Sequence, residues 1–290
     1  MDVINVGSLN LDFVYQVDHF AVPGETQSAR QFDLHIGGKG LNQSIALARA
    51  GLNVAHVGAI GSDGNILLNA LKEDDVDTTF VHFSEKRSGH AIIQVVKSGQ
   101  NAIIIQGGAN QTLTPEQLED ALNHFRPKAL VLQNETNLMK ETLLLAKQRG
   151  LKIFYNPAPL IPDTKKFPLH VVDVLIVNEI EAEALTSEVG PEKQLHALRK
   201  HCHPKTLCVL TMGSEGVWVL ESDTPRHFDA YPVEKVVDTT GAGDTFIGFF
   251  MAGLLHGMPL DKAVKQGMKA ASICITRAGA AASIPSSIEY

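Results

Sequence analysis

Cysteine is scarce in this chain: Cys202, Cys208 and Cys274 are the three in 290 residues, and no two stand in C-x-x-C spacing. So sparse and odd a set excludes a disulfide framework and fits a reducing compartment. Positive charge is not in excess either. Lys plus Arg number 25 against 32 for Asp plus Glu, a formal charge of -7, and no basic run could follow a phosphate backbone. Nucleic acid is therefore not an expected partner. A protein of this sign that holds an anion must do so locally, through helix amino ends and backbone N–H groups. No apolar run reaches the ~18 residues of a helical membrane span, and the amino terminus lacks a basic stretch followed by a long apolar one. No membrane partner is expected, and the expected location is the cytoplasm. Internal repeats and low-complexity tracts are also missing.

What is present is an ordinary globular composition, 44% apolar and 20% charged, long enough for one large α/β domain or two smaller ones. Short runs rich in Val and Ile alternate with segments of helical period. Strands are expected at 3–7, 54–59, 129–132, 152–155, 174–177 and 207–211, and helices at 41–50, 66–73, 115–124, 139–149, 179–185 and 191–201. This alternation predicts an α/β fold, a doubly wound and mostly parallel sheet flanked by helices. Gly51 and Gly150 follow helix ends, and Thr114-Pro115 supplies an N-cap with proline in the first turn. Two stretches break the pattern and read as antiparallel strands. Residues 11–36 hold a turn at Pro23-Gly24, and within 88–107 two extended runs flank Ser98-Gly99. They are expected to form a small β-sheet lid over a site on the main sheet.

Three motifs carry chemistry. Asp238-Thr239-Thr240-Gly241-Ala242-Gly243-Asp244-Thr245-Phe246 precedes an apolar helical run. Small residues at a helix amino end turn successive N–H groups toward one point, where the helix dipole favours an anion. A carboxylate beside that point, Asp244, can take the proton of a hydroxyl attacking a phosphoryl group. Gly37-Gly38-Lys39-Gly40-Leu41-Asn42 opens another helix. It is not a Walker A loop, because Lys39 is followed by Gly40. Lys39 and Asn42 can donate to hydroxyl oxygens, although by itself the segment fits a structural turn equally well. In Gly7-Ser8-Leu9-Asn10-Leu11-Asp12, Asn10 and Asp12 project to one side of extended chain and can grip adjacent hydroxyls, or form an Asx turn.

In this order and spacing, the three motifs resemble the ribokinase family of sugar kinases, also called the phosphofructokinase-B family, over nearly the whole chain. The resemblance implies a single kinase domain over 1–290, ATP-dependent phosphorylation of a small sugar, ribose before others, and a homodimer formed through the lid. It implies Asp244 as catalytic base, with Gly241, Ala242 and Gly243 as its anion hole. Sugar contacts would come from Asn10, Asp12, Gly38, Lys39, Asn42, Glu135 and Asp244. In Gln133-Asn134-Glu135 the glutamate matches the family, whereas Asn134 is less usual there. Asn156-Pro157-Ala158-Pro159 matches a structural turn. The nucleotide would meet Asn178, Thr211, Gly213, Ser214, Gly216 and Gly243. Glu181, in Asn178-Glu179-Ile180-Glu181, would act on hydrated Mg2+. A K+ site is implied at the Asp238 carboxylate, the carbonyls of Thr240, Cys274, Arg277 and Gly279, and the Ser283 hydroxyl; such oxygen ligands suit a hard cation.

His196, His201, Cys202, His203 and Cys208 cluster in sequence but fit no zinc spacing, so they are read as a surface helix end. Asp63-Gly64 reads as a turn and helix start. Within the family, deoxyribose, fructose, 2-keto-3-deoxygluconate or a nucleoside are alternative substrates. A non-catalytic sugar-binding regulator is disfavoured by the presence of both Asp244 and its loop. A nicotinamide oxidoreductase would need G-x-G-x-x-G after the first strand, where Gly7 is followed instead by Ser8-Leu9-Asn10.

Overall fold

The computed structural model describes residues 1–286. Its strands are β1 (Val3–Val6), β2 (Asn10–Gln16), β3 (Gln31–Gly37), β4 (Val54–Ile60), β5 (Asp77–Phe83), β6 (Gly89–Val95), β7 (Asn101–Gln106), β8 (Ala129–Gln133), β9 (Lys152–Asn156), β10 (Val174–Asn178), β11 (Leu207–Thr211), β12 (Val217–Leu220) and β13 (Arg226–Phe228). The helices are α1 (Lys39–Arg49), α2 (Asn65–Glu73), α3 (Pro115–Phe125), α4 (Met139–Gln148), α5 (Glu179–Thr186), α6 (Pro191–His201), α7 (Ala242–Leu255) and α8 (Leu260–Cys274).

Nine strands form one sheet in the order β13-β12-β11-β10-β9-β8-β1-β4-β5. It is parallel from β11 to β5, and the antiparallel pairs β11–β12 and β12–β13 close one side. The central strands are buried on both faces, which is why they read as unbroken apolar runs. Along β1, Val3 faces one core, with α1, α2, α7 and α8, while Ile4 and Val6 face the other, with α3 to α6. Phe249 and Phe250 of α7 are fully buried, each contributing on the order of 2 kcal/mol. The strand order reverses around β1, where the chain runs first to β4 and β5 and then back to β8. Ligands of open α/β sheets bind outside the carboxyl ends of strands at such a point.

Helix starts follow their local chemistry. Thr114 accepts from the Gln117 N–H at 3.3 Å and Gln117 accepts from the Thr114 N–H at 3.0 Å, a reciprocal capping box. Asn178 and Glu181 do the same at the start of α5. Gly248 of α7 lies against α1, and a Cβ there would come within 2.4 Å of the Ala46 Cβ. That small residue lets the two helices approach closely, with consequences for the site below.

The second sheet has the order β3-β2-β6-β7. The expectation of antiparallel strands holds for β2–β3 and β6–β7, but the central pair, β2 and β6, is parallel. The reason is connectivity: between those strands the chain passes through α1, β4, α2 and β5, and so re-enters the small sheet from the same end. The roots of this sheet are short, at residues 7–9, Gly38, residues 84–88 and Gly107. Asp63 helps to fix one of them, accepting from the Ser88 N–H at 2.9 Å, while α2 begins after Gly64 as expected. Strands β5, β12 and β13 and helix α8 go beyond the expected elements. β5 and β13 lie at sheet edges and are only partly buried, so they lack the apolar runs of the interior strands, and β12 is only four residues long.

Candidate active site

The carboxyl ends of β1, β8, β9, β10 and β11 and the amino ends of α1, α5 and α7 converge on one region. Gly7 and Gly40 let this happen. A Cβ on Gly40 would stand 2.3 Å from the Ser8 nitrogen, and one on Gly7 would stand 2.5 Å from the Gly40 Cα. The two backbones therefore cross where no side chain fits, and the amino end of α1 sits directly on the end of β1.

Asp244 lies in the first turn of α7 and is 8% exposed. Its Oδ2 accepts from the Asn42 amide at 2.9 Å and its Oδ1 from the Gln43 amide at 2.9 Å. Those bonds exist because Gly248 draws α7 onto α1. Gly241, with φ 78°, caps the helix in the left-handed conformation and packs against Ala280. The first N–H groups of any helix lack intrahelical partners, so the amino end of α7 presents donors beside Asp244.

On the side of the small sheet, Glu135 accepts from the Ser8 hydroxyl and from the Lys39 N–H, the latter at 2.9 Å. Asp12 sits against Gly37 at the root of β3, and burial, reinforced by the nearby Glu135 carboxylate, pushes its pKa up to about 7. Asn10 Oδ1 accepts from Asn110 Nδ2 at 2.7 Å, and Asn110 in turn accepts from the Leu9 N–H at 2.9 Å. Gly38, with φ 94°, is the cap of α1. Asn42 Oδ1 is buried without a partner.

A cavity of about 760 Å³ opens next to this group. Its polar end holds Lys39, Asn178, Glu181 and the Gly241 to Asp244 turn, and its apolar end Val217, Tyr231, Val236, Met268 and Ile275. Thr211, Gly213, Ser214 and Gly216 form one wall. The Thr211 hydroxyl is turned to the Val177 carbonyl at 3.4 Å. Asn178 spends its side-chain oxygen on the Glu181 N–H at 2.8 Å, and Glu181 Oε2 accepts from the Asn178 N–H at 2.9 Å. Burial raises the Glu181 pKa, and the Asp244 charge adds to the effect. Burial opposes the charged form of Lys39, but Asp244, Glu135 and Glu181 outweigh it and hold its pKa above the ordinary lysine value. Lys39 is thus a fixed cation between the two halves of the site.

Behind the α7 amino end, burial of Asp238 is outweighed by hydrogen bonds that lower its pKa. It accepts from the Thr240 N–H at 2.9 Å, the Thr240 hydroxyl at 2.6 Å and the Gly279 N–H at 3.0 Å. The Cys274 thiol lies 3.0 Å from the Ser283 hydroxyl and 3.8 Å from the Thr240 carbonyl. The Arg277 N–H donates to the Cys274 carbonyl at 3.1 Å. Residues from opposite sides of α8 are thereby brought to one place.

Three contributors escaped the sequence reading. Gln43 and Asn110 belong to no motif, and Ser8 stood inside one without being singled out. Asn134 proves to point away from the sugar side, donating to the Pro157 carbonyl at 3.0 Å and the Thr164 hydroxyl at 2.8 Å. The His/Cys cluster is split: the histidines at 196, 201 and 203 are exposed, whereas Cys202 and Cys208 are buried rather than on a surface. Among the described residues, no group of three or more His, Cys, Asp or Glu is placed to hold a metal ion, and no helix is long and apolar enough to cross a membrane.

Comparison with known proteins agrees with this geometry. The model of the pfkB family carbohydrate kinases matches residues 2–287. A ribokinase from Haemophilus influenzae is 37% identical, over 97% of this chain and 94% of its own. Among solved structures, a ribokinase from Thermotoga maritima superposes with a TM-score of 0.89 at 34% identity, covering 98% of this chain and 96% of that one. An Arabidopsis thaliana ribokinase complexed with ribose and ATP gives 0.89 at 28% identity, with the same coverage. A helix amino end beside the Asp244 carboxylate, the adjoining cavity and these relatives lead to one conclusion: the chain belongs to the pfkB family, as an ATP-dependent carbohydrate kinase.

Proposed function

We propose that this kinase phosphorylates D-ribose at its 5-hydroxyl, with ATP as donor. The observation that carries the reading is the Asn42–Asp244 hydrogen bond, which joins a hydroxyl-binding group to a carboxylate at the head of the phosphate-binding helix. Asn10, Asp12, Asn42 and Glu135 would supply the sugar contacts beneath the small sheet, and the relatives named ribokinase support ribose as the sugar. The unpartnered Asn42 Oδ1 and the Asp12 and Glu135 carboxylates accept from sugar hydroxyls. Asp244 takes the proton of the 5-hydroxyl as that oxygen forms its bond to the γ-phosphorus. The bond from phosphorus to the β,γ-bridging oxygen breaks, and its electrons leave with ADP. Lys39 and the N–H groups at the α7 amino end receive the γ-phosphoryl charge.

Magnesium fits the same corner. Glu181 is a carboxylate whose charge is disfavoured by burial and by Asp244, which a nearby cation would relieve. With no other acidic cluster in reach, a hydrated ion carried by the ATP phosphates would meet Glu181 through water, and there it would neutralise phosphate charge. The Asp238 carboxylate, which the Thr240 and Gly279 N–H groups hold beside the α7 amino end, and the nearby Ser283 hydroxyl support a K+ site that would stiffen the Gly241 turn. The whole chain then works as one kinase unit, with the small sheet as its lid, and the expected setting is cytoplasmic. Phe32, Ile103, Ile104 and Ile105 are each half exposed or more on that sheet, and a homodimer through the lid would cover them. A monomeric mass by sedimentation at micromolar concentration would remove the dimer.

Two deoxyribokinases, 31% identical over 99% of this chain, support deoxyribose as the second reading. An ADP-release assay over ribose, deoxyribose, fructose, 2-keto-3-deoxygluconate and nucleosides decides between them. The highest kcat/KM is expected for ribose, and a higher value for any other would replace it.

A further inference from the structure

Beneath the sugar and phosphate sites runs a chain of buried polar side chains that the reaction above does not use. Gln43 Nε2 donates to Asp244 Oδ1 at 2.9 Å and reaches Asn156 Oδ1 at 3.4 Å. Gln43 Oε1 accepts from Gln133 Nε2 at 2.7 Å, and the same Gln133 amide donates to Asn5 Oδ1 at 3.1 Å. Asn5 Nδ2 donates to the Gly40 carbonyl at 2.7 Å and to Ser44 Oγ at 2.9 Å. Ser44 Oγ lies 2.8 Å from His56 Nδ1, and His56 Nε2 lies 3.1 Å from the Gly7 carbonyl. Gln43, Gln133, Asn5, Ser44 and His56 are all 0% exposed.

Each orientation in this chain fixes the next. The Gly7 carbonyl can only accept, so His56 carries its proton on Nε2 and accepts from Ser44 on Nδ1. Burial pushes the His56 pKa down to about 4, which keeps the ring neutral and the tautomer in place. Ser44, having donated, accepts from Asn5, whose oxygen must then face Gln133. Turning Gln43 over would set its oxygen against the Asp244 carboxylate and its NH2 against the Gln133 NH2. The Gln43 amide therefore points one way only. An apolar core of the same shape would fold about as well, since a buried polar network gains little over apolar packing and this one leaves Gln133 Oε1 without a partner. The feature that the polar chain supplies, and packing cannot, is a donor of fixed direction at Asp244.

We propose that Gln43 is a positioning residue for phosphoryl transfer: held by Gln133 and Asn5, it keeps the Asp244 carboxylate in one rotamer facing the sugar hydroxyl. This rests on the reading of Asp244 as the base. A donor on each oxygen, Asn42 on Oδ2 and Gln43 on Oδ1, leaves the carboxylate no free rotation. The other charged groups coupled to Asp244 are Lys39 of α1 and Glu181 of α5. Gln43 makes none of the sugar contacts assigned above, so its contribution belongs to kcat and not to sugar affinity.

The test compares Gln43→Leu and Gln43→Glu with the wild type by steady-state kinetics across pH. Gln43→Leu removes the donor and is expected to lower kcat about 10- to 100-fold, with sugar KM within about threefold. Gln43→Glu keeps the volume and the acceptor for Gln133 but sets a second carboxylate against Asp244. Since two such neighbours resist joint ionisation, the acid limb of its kcat profile should move alkaline by about one pH unit or more. Turnover of Gln43→Leu within twofold of wild type, or an acid limb in Gln43→Glu that coincides with wild type, overturns the proposal. So does a lower melting temperature with neither kinetic change, the mark of a merely structural role. If Gln43→Leu does not fold, the near-isosteric Glu variant decides alone. Asp244→Asn, assayed alongside, separates the two ideas. An inactive Asp244→Asn with an unaffected Gln43→Leu defeats only the positioning role, whereas an active Asp244→Asn defeats the base itself.

Discussion

Asn42 Nδ2 and Asp244 Oδ2, 202 positions apart in sequence, meet at 2.9 Å. The bond ties α1, which begins beside the small sheet, to α7, which begins at the cavity, so that on the proposed reading one side chain would join the sugar to the group that activates it. Replacing Asp244 by Asn should keep the fold and sugar binding but lower kcat by about 10²- to 10⁴-fold, because an amide cannot take the hydroxyl proton. Calorimetry with the sugar and single-turnover kinetics with ATP check the two halves, and near wild-type turnover would exclude Asp244 as base.

Asp12 makes sugar affinity depend on pH. Its pKa of about 7 is raised by burial and then by Glu135, so ionising it costs the free enzyme stability as pH rises from the ordinary carboxylate range through 7. The sugar hydroxyls repay that cost by donating to the charged form. Sugar KM should therefore fall as pH rises from about 5.5 to about 8.5 across that value, with a flatter profile in Asp12→Asn. Identical profiles in the two proteins would remove Asp12 from the sugar site.

His56 should limit acid stability. Its folded pKa of about 4 lies below the ordinary histidine value because the ring is buried, so the unfolded chain takes up its proton first. The stability contributed by the neutral ring is complete above about pH 6.5 and is lost as pH falls through 4, by on the order of 3 kcal/mol in total. Urea unfolding at several pH values should show this slope in wild type and a shallower one in His56→Gln. Parallel slopes would contradict it.

Arg49 closes α1 onto the carboxyl-terminal segment. Its guanidinium pairs with both Asp74 oxygens, at 2.6 and 2.9 Å, and donates to the carbonyls of Ala281 and Ile284 at 3.1 and 2.6 Å. Ser283 lies between those carbonyls. Arg49→Met should raise the half-activating K+ concentration several-fold in assays at constant ionic strength, and Asp238→Ala should abolish the response. A flat K+ response in wild type would remove the cation site altogether.

The sequence displayed whatever repeats locally. Buried strands announced themselves as Val and Ile runs, and the N-cap of α3 was legible from Thr114-Pro115, although its reciprocal partner Gln117 was not. The Gly241 to Asp244 turn was legible because an anion site needs small residues and a helix start side by side. The remainder depends on what meets across the fold. The parallel pairing of β2 with β6 follows from a crossover through the main sheet, which no local pattern records. Gln43 and Asn110 matter only because α7 and β2 happen to stand beside them. Asn134, next to Glu135 in the turn after β8, is drawn to the Pro157 carbonyl and the Thr164 hydroxyl, partners that no local pattern records.

The roots of the small sheet, at residues 7–9, Gly38, residues 84–88 and Gly107, all lie at one end of it. A sheet attached in this way cannot fray strand by strand; it tilts as a plate about the line of its roots. If the plate is the lid, sugar held between Asp12 and Asn42 should leave, and water should reach the phosphates, by one and the same swing. A substitution in a root, such as Gly107→Pro, should then change substrate residence time and wasteful ATP hydrolysis together, and a change in one alone would contradict it.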